Sequence, residues 1–437
     1  MKKEVNMSEL ARRLTLPDVL CLGVNAIIGS GIFLFPGRLA KSAGPTSVFA
    51  FILCGLLLVT VALSYAEMAG LTRRNGGAYV YALTAFGAKI GFVVGWIAWV
   101  TSIFSWAAVA NAISSQLAYF HPLFNTVLVT KILACSLILG FGTINYFGVK
   151  MGAITVNLFT VAKTLPLALF VGVGLFHLEP GNFQGALQTD LNTMGAALFL
   201  SLWPLQGFET VPVIAGESKN PQRDVPLATI FSLLAVALFY TLIQIVSVGT
   251  LPGLAGSQKP LADAAATFLG PLGATLMAAG AAISMTGYSA GNAMGSARYL
   301  DALAEDHFLP QWLRAVHPRY LTPARAIALT TGLTAFMAIW LDFAALVDIS
   351  NLAVISQYGA TCAAVIWLRL KQPELERRFK IPGGILVPLL GCGVSLWLIK
   401  QVKLPELIFT TVVVLIGVGF ALASKAYAKR KAGGAPA

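Results

Sequence analysis

Apolar runs of about twenty residues recur along this chain of 437 residues, and they constrain its fold more than any other feature. An α-helix rises about 1.5 Å per residue, so about 20 apolar residues cross the hydrocarbon core of a bilayer. Charged residues make up only 11% of the chain, whereas soluble domains contain about 25%. The chain is therefore predicted to be an all-α integral membrane protein, and not a soluble enzyme, a nucleic-acid-binding protein or a disordered protein. About twelve transmembrane helices are predicted, at residues 18–40, 45–70, 82–117, 124–146, 152–177, 193–216, 227–250, 271–297, 326–341, 346–368, 384–400 and 404–424.

Positive charge is distributed unevenly between these segments. Threading them alternately through a membrane places 23 of the 30 Lys and Arg residues on the side of the N-terminus and five on the other side. Cytoplasmic loops carry an excess of Lys and Arg, so both termini are predicted to be cytoplasmic and the protein to be a multi-pass component of the plasma (inner) membrane. Residues 1–17 lack the apolar core and cleavage site of a signal peptide and are predicted to be a cytoplasmic segment, as is the basic tail at 425–437.

Two of the predicted helices contain residues that interrupt an α-helix. The first has Gly29-Ser30-Gly31 near its centre, and the sixth has Pro204 and Gly207. Glycine adopts non-helical backbone angles and proline lacks a donor N–H, so both helices are predicted to be broken. A half-helix that begins at Ser30 would expose N–H groups suited to a carboxylate, and the half-helix before it would expose carbonyls suited to an ammonium group. Close packing between helices is the alternative interpretation of the glycines.

Three ionisable side chains fall clearly within the predicted spans. Lys163 lies in the middle of the fifth helix, where insertion of a lysine costs about 2.5–3.5 kcal/mol, so we expect it to have a partner or a function. Glu209 lies in the sixth helix, where it either acts in gating or forms a satisfied polar bridge. Glu67, near the inner end of the second helix, is expected to be structural. Since the three lie on separate helices, they do not form the paired acids or nucleophile–base arrangement of a membrane enzyme.

Several motifs resemble the amino acid–polyamine–organocation (APC) superfamily of transporters, in its amino acid permease or antiporter type. The motifs that carry the resemblance are 28–33 IGSGIF, 65–68 YAEM, 76–81 GGAYVY, 85–87 AFG, 207–209 GFE, 217–226 ESKNPQRDVP, Arg298, 304–306 AED and 309–310 LP. The resemblance implies a LeuT-like fold of five plus five helices in inverted repeats, with helices 1 and 6 broken. It places a ten-helix transport core at 18–368, with repeats at about 18–177 and 193–368, followed by two additional helices at 384–424.

The resemblance also implies a substrate site. Its substrate-binding residues would be Ile27, Gly29, Ser30, Gly31, Trp203, Gln206 and Phe208. The N–H groups of Ser30 and Gly31 would bind a carboxylate, and the carbonyls of Ile27, Trp203 and Gln206 would receive an amino group. Trp203 stands where related arginine–agmatine antiporters have an aromatic gate. The apolar neighbours Leu205, Phe208 and Val211 favour an apolar pocket and a neutral or broad range of amino acids.

Gating or coupling would fall to Trp203, Glu209, Lys163, Ser284 and Ser289. Lys163 resembles the fifth-helix lysine of some family members, which takes the place of a sodium ion. Its expected partners are carbonyls near Ala26 and the hydroxyl of Ser284 or Ser289. Sodium coupling is disfavoured, because the ammonium would repel the cation. In the third helix, Ser102, Ser105 and Trp106 are expected to pack in the core, and in the eighth, Tyr288 and Asn292 either line the pocket or bond between helices.

The implied function is that of a secondary active amino acid transporter, either a proton-coupled symporter or an exchanger, which works by alternating access on a zwitterionic substrate. An arginine/agmatine- or polyamine-type antiporter is the alternative within the superfamily, and a non-transporting amino acid sensor is the alternative of another class. The sequence predicts no enzyme activity, no cofactor or metal, and no nucleic-acid partner. The expected partners are an amino acid or amine, protons in the symport alternative, and the lipid bilayer. The segment 119–125 lacks a cysteine, so no disulfide-linked partner chain is expected, and the protein would be a monomer or homodimer.

Overall fold

The structure is a computed structural model in which residues 12–188, 190–341, 343–400 and 404–433 are described. Within these ranges the chain folds into helices and loops, and β pairing is limited to two isolated bridges. Predictions for residues 1–11 and 434–437 lie outside the described residues. The α-helices are α1 (Leu16–Ile27), α2 (Gly31–Ala43), α3 (Ala50–Leu71), α4 (Ala78–Phe86), α5 (Ala88–Leu117), α6 (Val127–Tyr146), α7 (Val149–Gly174), α8 (Leu191–Leu205), α9 (Pro221–Thr250), α10 (Pro260–Glu305), α11 (Ala324–Trp340), α12 (Phe343–Lys371), α13 (Leu386–Ile399) and α14 (Leu404–Gly433).

Eight helical stretches of the described chain are long and apolar enough to cross a membrane. The predicted all-α multi-pass architecture is therefore confirmed, while the count of twelve spans stays a prediction. Helices α1, α11 and α13 are apolar but shorter than a bilayer requires by themselves. The eight stretches are Gly31–Leu71, Ala88–Leu117, Val127–Tyr146, Val149–His177, Leu191–Glu217, Pro221–Thr250, Pro260–Glu305 and Leu352–Lys371.

Two predicted helices have different bounds in the structure. The segment predicted at 82–117 is two helices, α4 and α5, which meet at Gly87. Gly87 has φ 80°, a backbone angle that residues with a side chain rarely adopt, so the helix axis changes direction there. The segment predicted at 271–297 begins earlier, at Pro260, and kinks at Gly270 before Pro271. The last helix continues to Gly433, into the segment predicted as a tail.

The outer helices present apolar side chains to their surroundings. Leu128 on α6 and Leu158 and Leu165 on α7 are exposed, which is the expected state of residues that contact lipid acyl chains. The large side chains of the centre are buried instead, among them Trp106 and Phe170. The interior therefore lies between α1, α5, α7, α9 and α10, and the broken helices pass through it.

A buried ion pair closes the end of the bundle where α1 begins. Arg298 of α10 is fully buried, and its Nε donates to Glu217 Oε1 at 2.8 Å while its Nη1 donates to Asn145 Oδ1 at 2.9 Å. The backbone carbonyl of Glu217 accepts hydrogen bonds from the N–H groups of Arg13 and Leu14, at 2.9 and 3.0 Å. The chain before α1 is thus attached to the segment after α8 and, through Arg298, to α10.

A second buried carboxylate holds the loop between α12 and α13. Glu67 of α3 accepts hydrogen bonds from Arg369 Nε at 2.9 Å and from the N–H of Ile381 at 2.9 Å, and it pairs with Arg377 at 3.3 Å. This carboxylate is therefore satisfied by two arginines and one backbone donor. The structural role expected of Glu67 agrees with these contacts.

Candidate functional site

The first helix is interrupted at residues 28–30, between α1 and α2. Ile28 has φ −76° and ψ 88°, and the N–H of Gly29 donates to the carbonyl of Ile27 at 2.9 Å, which is the pattern of an inverse γ-turn. Helix α2 then begins at Gly31, so N–H groups of its first turn have no preceding helical carbonyl to bind. The end of α1 and the positive start of α2 meet within three residues.

The sixth predicted helix is interrupted after Leu205, where α8 ends. Gly207 has φ 129°, outside the range of ordinary side-chain-bearing residues, and the chain continues as a 3-10 helix over Phe208–Glu217. Glu209 Oε2 accepts hydrogen bonds from the N–H of Gly207 at 2.9 Å and from the hydroxyl of Tyr358 on α12 at 3.0 Å. Glu209 therefore caps its own helix break and joins it to α12.

The two breaks interlock through glycines. A Cβ atom added to Gly31 would lie 2.8 Å from the Cα of Pro204, and one added to Gly207 would lie 2.4 Å from the carbonyl oxygen of Ala26. Each break thus presses a glycine against the backbone of the other, closer than any side chain allows. These glycines therefore both pack closely against the other break and lie at the points where the helices are interrupted.

The carbonyls around the first break are bound by side chains of three other helices. Lys163 of α7, fully buried, donates from Nζ to the carbonyl of Asn25 at 2.8 Å and to that of Ile28. Ser284 of α10 donates to the carbonyls of Ile28 at 3.1 Å and Gly29 at 3.0 Å. The hydroxyl of Tyr240 on α9 donates to the carbonyl of Ile27 at 3.1 Å.

These contacts place the expected partners of Lys163. Helix 1 carbonyls bind Lys163, as expected, but Ser284 donates to the carbonyls of Ile28, which Lys163 also binds, and Gly29, rather than to Lys163. Ser289 is buried, and its hydroxyl has no hydrogen-bond partner among the described residues, so the expected bond to Lys163 is not formed. Ser289 lies five residues along α10 from Ser284, which is one full turn and about 140° further around the helix. It therefore faces a different side of α10.

A cavity of about 890 Å³, the open space at its edge included, lies where the two breaks meet. Six of the seven predicted substrate-binding residues line it, and Glu209 lines it with them. Further lining comes from α5, α10 and α12, including Ser102, Ser105, Tyr288 and Asn292. The predicted site residues in the lining are Ile27, Gly29, Ser30, Gly31, Trp203, Gln206 and Glu209.

Phe208, the seventh predicted substrate residue, lies outside the cavity lining. It is fully buried, stacks on Tyr358 with ring centroids 5.3 Å apart, and meets Tyr65 edge-on at 6.0 Å. Successive residues of a 3-10 helix point about 120° apart, so Phe208 turns into the core while Glu209 faces the cavity. Leu205 and Val211 are also fully buried and absent from the lining, so the expectation of an apolar pocket built from these three residues was wrong.

Sequence reasoning underestimated the contribution of α5 and α10. Ser102 and Ser105 were expected to pack in the core but line the cavity, whereas Trp106 is fully buried as expected. Residues on α10 that line the cavity recur at helical spacing, a pattern that marks one face of the helix. They are Tyr288, Gly291, Asn292, Gly295, Ser296 and Tyr299. Small or polar residues at this spacing are the signal in the sequence that would have identified the face.

The all-helical architecture and the eight membrane-crossing stretches define a multi-pass membrane protein. A model of the amino acid permease family matches residues 14–427. The chain therefore belongs to the amino acid permease family, which confirms the predicted membership of the APC superfamily.

Curated relatives match the chain over nearly its whole length. A branched-chain amino acid permease of Bacillus subtilis (strain 168) is 28% identical over 426 residues, which cover 93% of this chain and 92% of the relative. A methylthioribose transporter of the same organism is 28% identical over 429 residues, 94% and 92% of the two chains. A serine/threonine exchanger of Bacillus subtilis (strain 168) is 27% identical over 439 residues, which cover 97% of this chain and 98% of the relative. The family and these relatives are transporters, which confirms the prediction that the chain is not an enzyme.

Proposed function

We propose that this chain is a secondary active amino acid transporter that binds its substrate as a zwitterion where the breaks of α1/α2 and α8 meet. One observation carries the proposal: the first turn of α2 opens into a cavity that both breaks line. Free N–H groups and the positive end of a helix dipole bind carboxylates. In transporters with interrupted helices, such half-helix ends surround the substrate near the middle of the membrane.

The two ends of the zwitterion are assigned to different break segments. The N–H groups of Ser30 and Gly31 bind the carboxylate. The carbonyl of Ile27 already accepts hydrogen bonds from the N–H of Gly29 and the hydroxyl of Tyr240. The ammonium group is therefore assigned to the carbonyls at the end of α8, those of Trp203 and Gln206, where Trp203 accepts one hydrogen bond, from the N–H of Gln206 at 3.4 Å.

Alternating access then follows from the interlocked glycines. Since Gly31 contacts Pro204 and Gly207 contacts Ala26, the two broken helices move together as one unit against α5 and α10, which line the opposite wall of the cavity. Trp203, which lines the cavity at the end of α8, acts as the gate above bound substrate.

The test is uptake of a labelled neutral amino acid into proteoliposomes, with competition by chemically blocked analogues. The methyl ester of the same amino acid lacks the carboxylate charge, and its N-acetyl derivative lacks the ammonium group. We expect each analogue to need a concentration at least about tenfold higher than the parent amino acid to inhibit uptake equally. The reason is that each analogue loses a charged hydrogen bond. Equal competition by the ester refutes the carboxylate assignment. Competition by polyamines alone favours the antiporter alternative, and binding without flux favours a sensor.

Two transport modes use this arrangement. In proton-coupled symport, loss of a proton from Lys163 loosens its bonds to Asn25 and Ile28, and the break in helix 1 rearranges. In exchange, the same lysine is a static brace. Uptake by wild type and Lys163→Ala, measured with and without an imposed pH gradient, separates the modes. Uptake that ignores the gradient but requires internal amino acid identifies an exchanger.

We also propose that both termini are cytoplasmic in the plasma (inner) membrane and that residues 18–177 and 193–368 form inverted repeats, followed by two helices at 384–424. The asymmetry of 23 against five basic residues supports this orientation. Labelling of Lys429→Cys by a membrane-impermeant thiol reagent tests it, in a background without native cysteines. Reaction is expected in inside-out vesicles and not in intact cells.

A further inference from the structure

The part of the cavity beyond the two breaks carries uncharged hydrogen-bonding groups. Helix α5 contributes Thr101, Ser102 and Ser105, and α10 and α12 contribute Ser296 and Gln357. If the amino and carboxyl groups of a substrate are held at the breaks, its side chain must extend into this space. The chemistry of this wall therefore determines which side chains are accepted.

Two atoms of this wall are buried without a hydrogen-bond partner. Ser296 and Gln357 are 1% and 3% exposed, and Ser296 Oγ and Gln357 Oε1 have no partner among the described residues. The Nε2 of Gln357 donates to the carbonyl of Ala353, one turn earlier on α12, at 3.2 Å. That bond sets the orientation of the amide and leaves Oε1 without a partner beside the cavity that Gln357 lines. Buried polar atoms are nearly always paired in folded proteins, so these two atoms need a partner, and a ligand or an ordered water in the cavity can supply it.

The one carboxylate in the described lining already accepts hydrogen bonds within the protein. Glu209 is the single charged side chain in the lining of the described cavity, and its Oε2 is occupied by the N–H of Gly207 and the hydroxyl of Tyr358. An acidic side chain would find no basic group in this lining and would lose its hydration without an ionic partner, which is costly in a buried site. A cationic side chain would have to share the carboxylate of Glu209 with Gly207 and Tyr358.

We propose that this subsite selects neutral amino acids whose side chain carries a hydroxyl or an amide, over apolar amino acids of the same shape. The inference rests on the proposed function, since it assumes that the substrate backbone sits at the breaks. A hydroxyl or amide donates to Gln357 Oε1 and exchanges a hydrogen bond with Ser296 Oγ. An apolar side chain of equal size fits the space but leaves both atoms unpaired.

Isosteric pairs of amino acids test the proposal without a change of size. Threonine and valine differ by a hydroxyl in place of a methyl group, and asparagine and leucine have similar shapes. In proteoliposomes that exchange labelled threonine, we expect threonine and asparagine to compete at concentrations roughly tenfold lower than valine and leucine. Lysine and aspartate should not compete at these concentrations. Equal competition by valine and threonine, or preference for valine, would overturn the proposal.

Two variants remove the selecting atoms while keeping the shape of the wall. Gln357→Met and Ser296→Ala should each lower the threonine-to-valine preference toward one, mainly by improving valine. Retained valine transport shows that the variants fold. Thr361→Val, buried one turn further along α12 and outside the cavity lining, is the matched control and should keep the wild-type preference.

The outcomes separate the two proposals. If both variants keep the wild-type preference for threonine over valine, other residues determine selectivity and the proposed role of Ser296 and Gln357 is wrong. Transport of amino acids without a preference for the polar member of each pair overturns the subsite but leaves the proposed function standing. Failure to transport any amino acid, either in exchange or down an imposed pH gradient, overturns the proposed function itself, and the inference with it.

Discussion

The two helix breaks that meet at the cavity are held in different ways. The break in the first helix depends on distant side chains: Lys163, Tyr240 and Ser284 bind its carbonyls across sequence separations of 138, 213 and 256 residues. The break after α8 is capped from within, by Glu209 on the N–H of Gly207 only two residues away. A long-range hydrogen bond from the hydroxyl of Tyr358 to Glu209 also supports it.

This difference indicates how each break responds to change. The first break couples α7, α9 and α10 to one another, because side chains of all three helices donate hydrogen bonds to its carbonyls. The second keeps its local shape as long as Glu209 remains, and Tyr358 joins it to α12. Substitutions at the first break should therefore disturb coupling between helices, and those at the second should disturb local geometry. The following predictions test that contrast, from the largest expected effect to the smallest.

Lys163→Ala should have the largest effect. It removes two hydrogen bonds and leaves the carbonyl of Asn25 without its buried donor, so we expect at least about a hundredfold loss of uptake. Lys131→Ala is the matched control, because Lys131 also donates from a helix to buried carbonyls, those of Ala338 and Leu341 at the end of α11. It should lower thermal stability and keep uptake within about threefold. Equal losses in the two variants would show that Lys163 contributes stability alone.

Gly207→Ala should follow, with a loss of uptake of about tenfold to a hundredfold. The added methyl group meets the carbonyl of Ala26 at 2.4 Å, and the backbone at φ 129° disfavours any side chain. Gly87→Ala separates these causes, because Gly87 also has positive φ but its Cβ would meet nothing within 4 Å. If Gly87→Ala is equally harmful, backbone strain and not the contact with Ala26 explains the result.

Glu209→Gln should reduce uptake by about tenfold, since a neutral amide accepts hydrogen bonds from Gly207 and Tyr358 more weakly than a carboxylate. Tyr358→Phe removes one of the two donors. A double-mutant cycle between them should give a coupling free energy of about 0.5–3 kcal/mol. Additive effects on uptake and on unfolding would mean that the pair does not act as the bridge between the break and α12.

Tyr240→Phe should have the smallest effect, a loss of uptake of about twofold to tenfold. The carbonyl of Ile27 keeps the hydrogen bond from Gly29 when the hydroxyl is removed, so the net cost is about 0.5–1.5 kcal/mol. The melting temperature and the rate of uptake should fall in proportion. A loss as large as that of Lys163→Ala would show that Tyr240 holds the first break more than the lysine does.

Several features of the fold and site were predictable from local sequence. The membrane spans follow from the length of apolar runs, and the breaks follow from Gly29, Gly31, Pro204 and Gly207, whose backbone properties do not depend on distant contacts. The need for a partner at Lys163 also follows from the cost of a mid-span ammonium. The motifs of the first, second, third and sixth helices identified the family.

Apart from α10, whose small and polar residues recur at helical spacing, the tertiary structure alone decided which face of each helix meets the cavity. Helices that are apolar all round have no polar stripe to mark their buried face, so their rotation depends on packing with neighbours. For this reason Phe208 turns into the core and Gln357 reaches the cavity. The sequence by itself determined where the long apolar helices lie and where two of them break, because those properties are local. Which residues line the cavity depended on contacts between residues far apart in the chain.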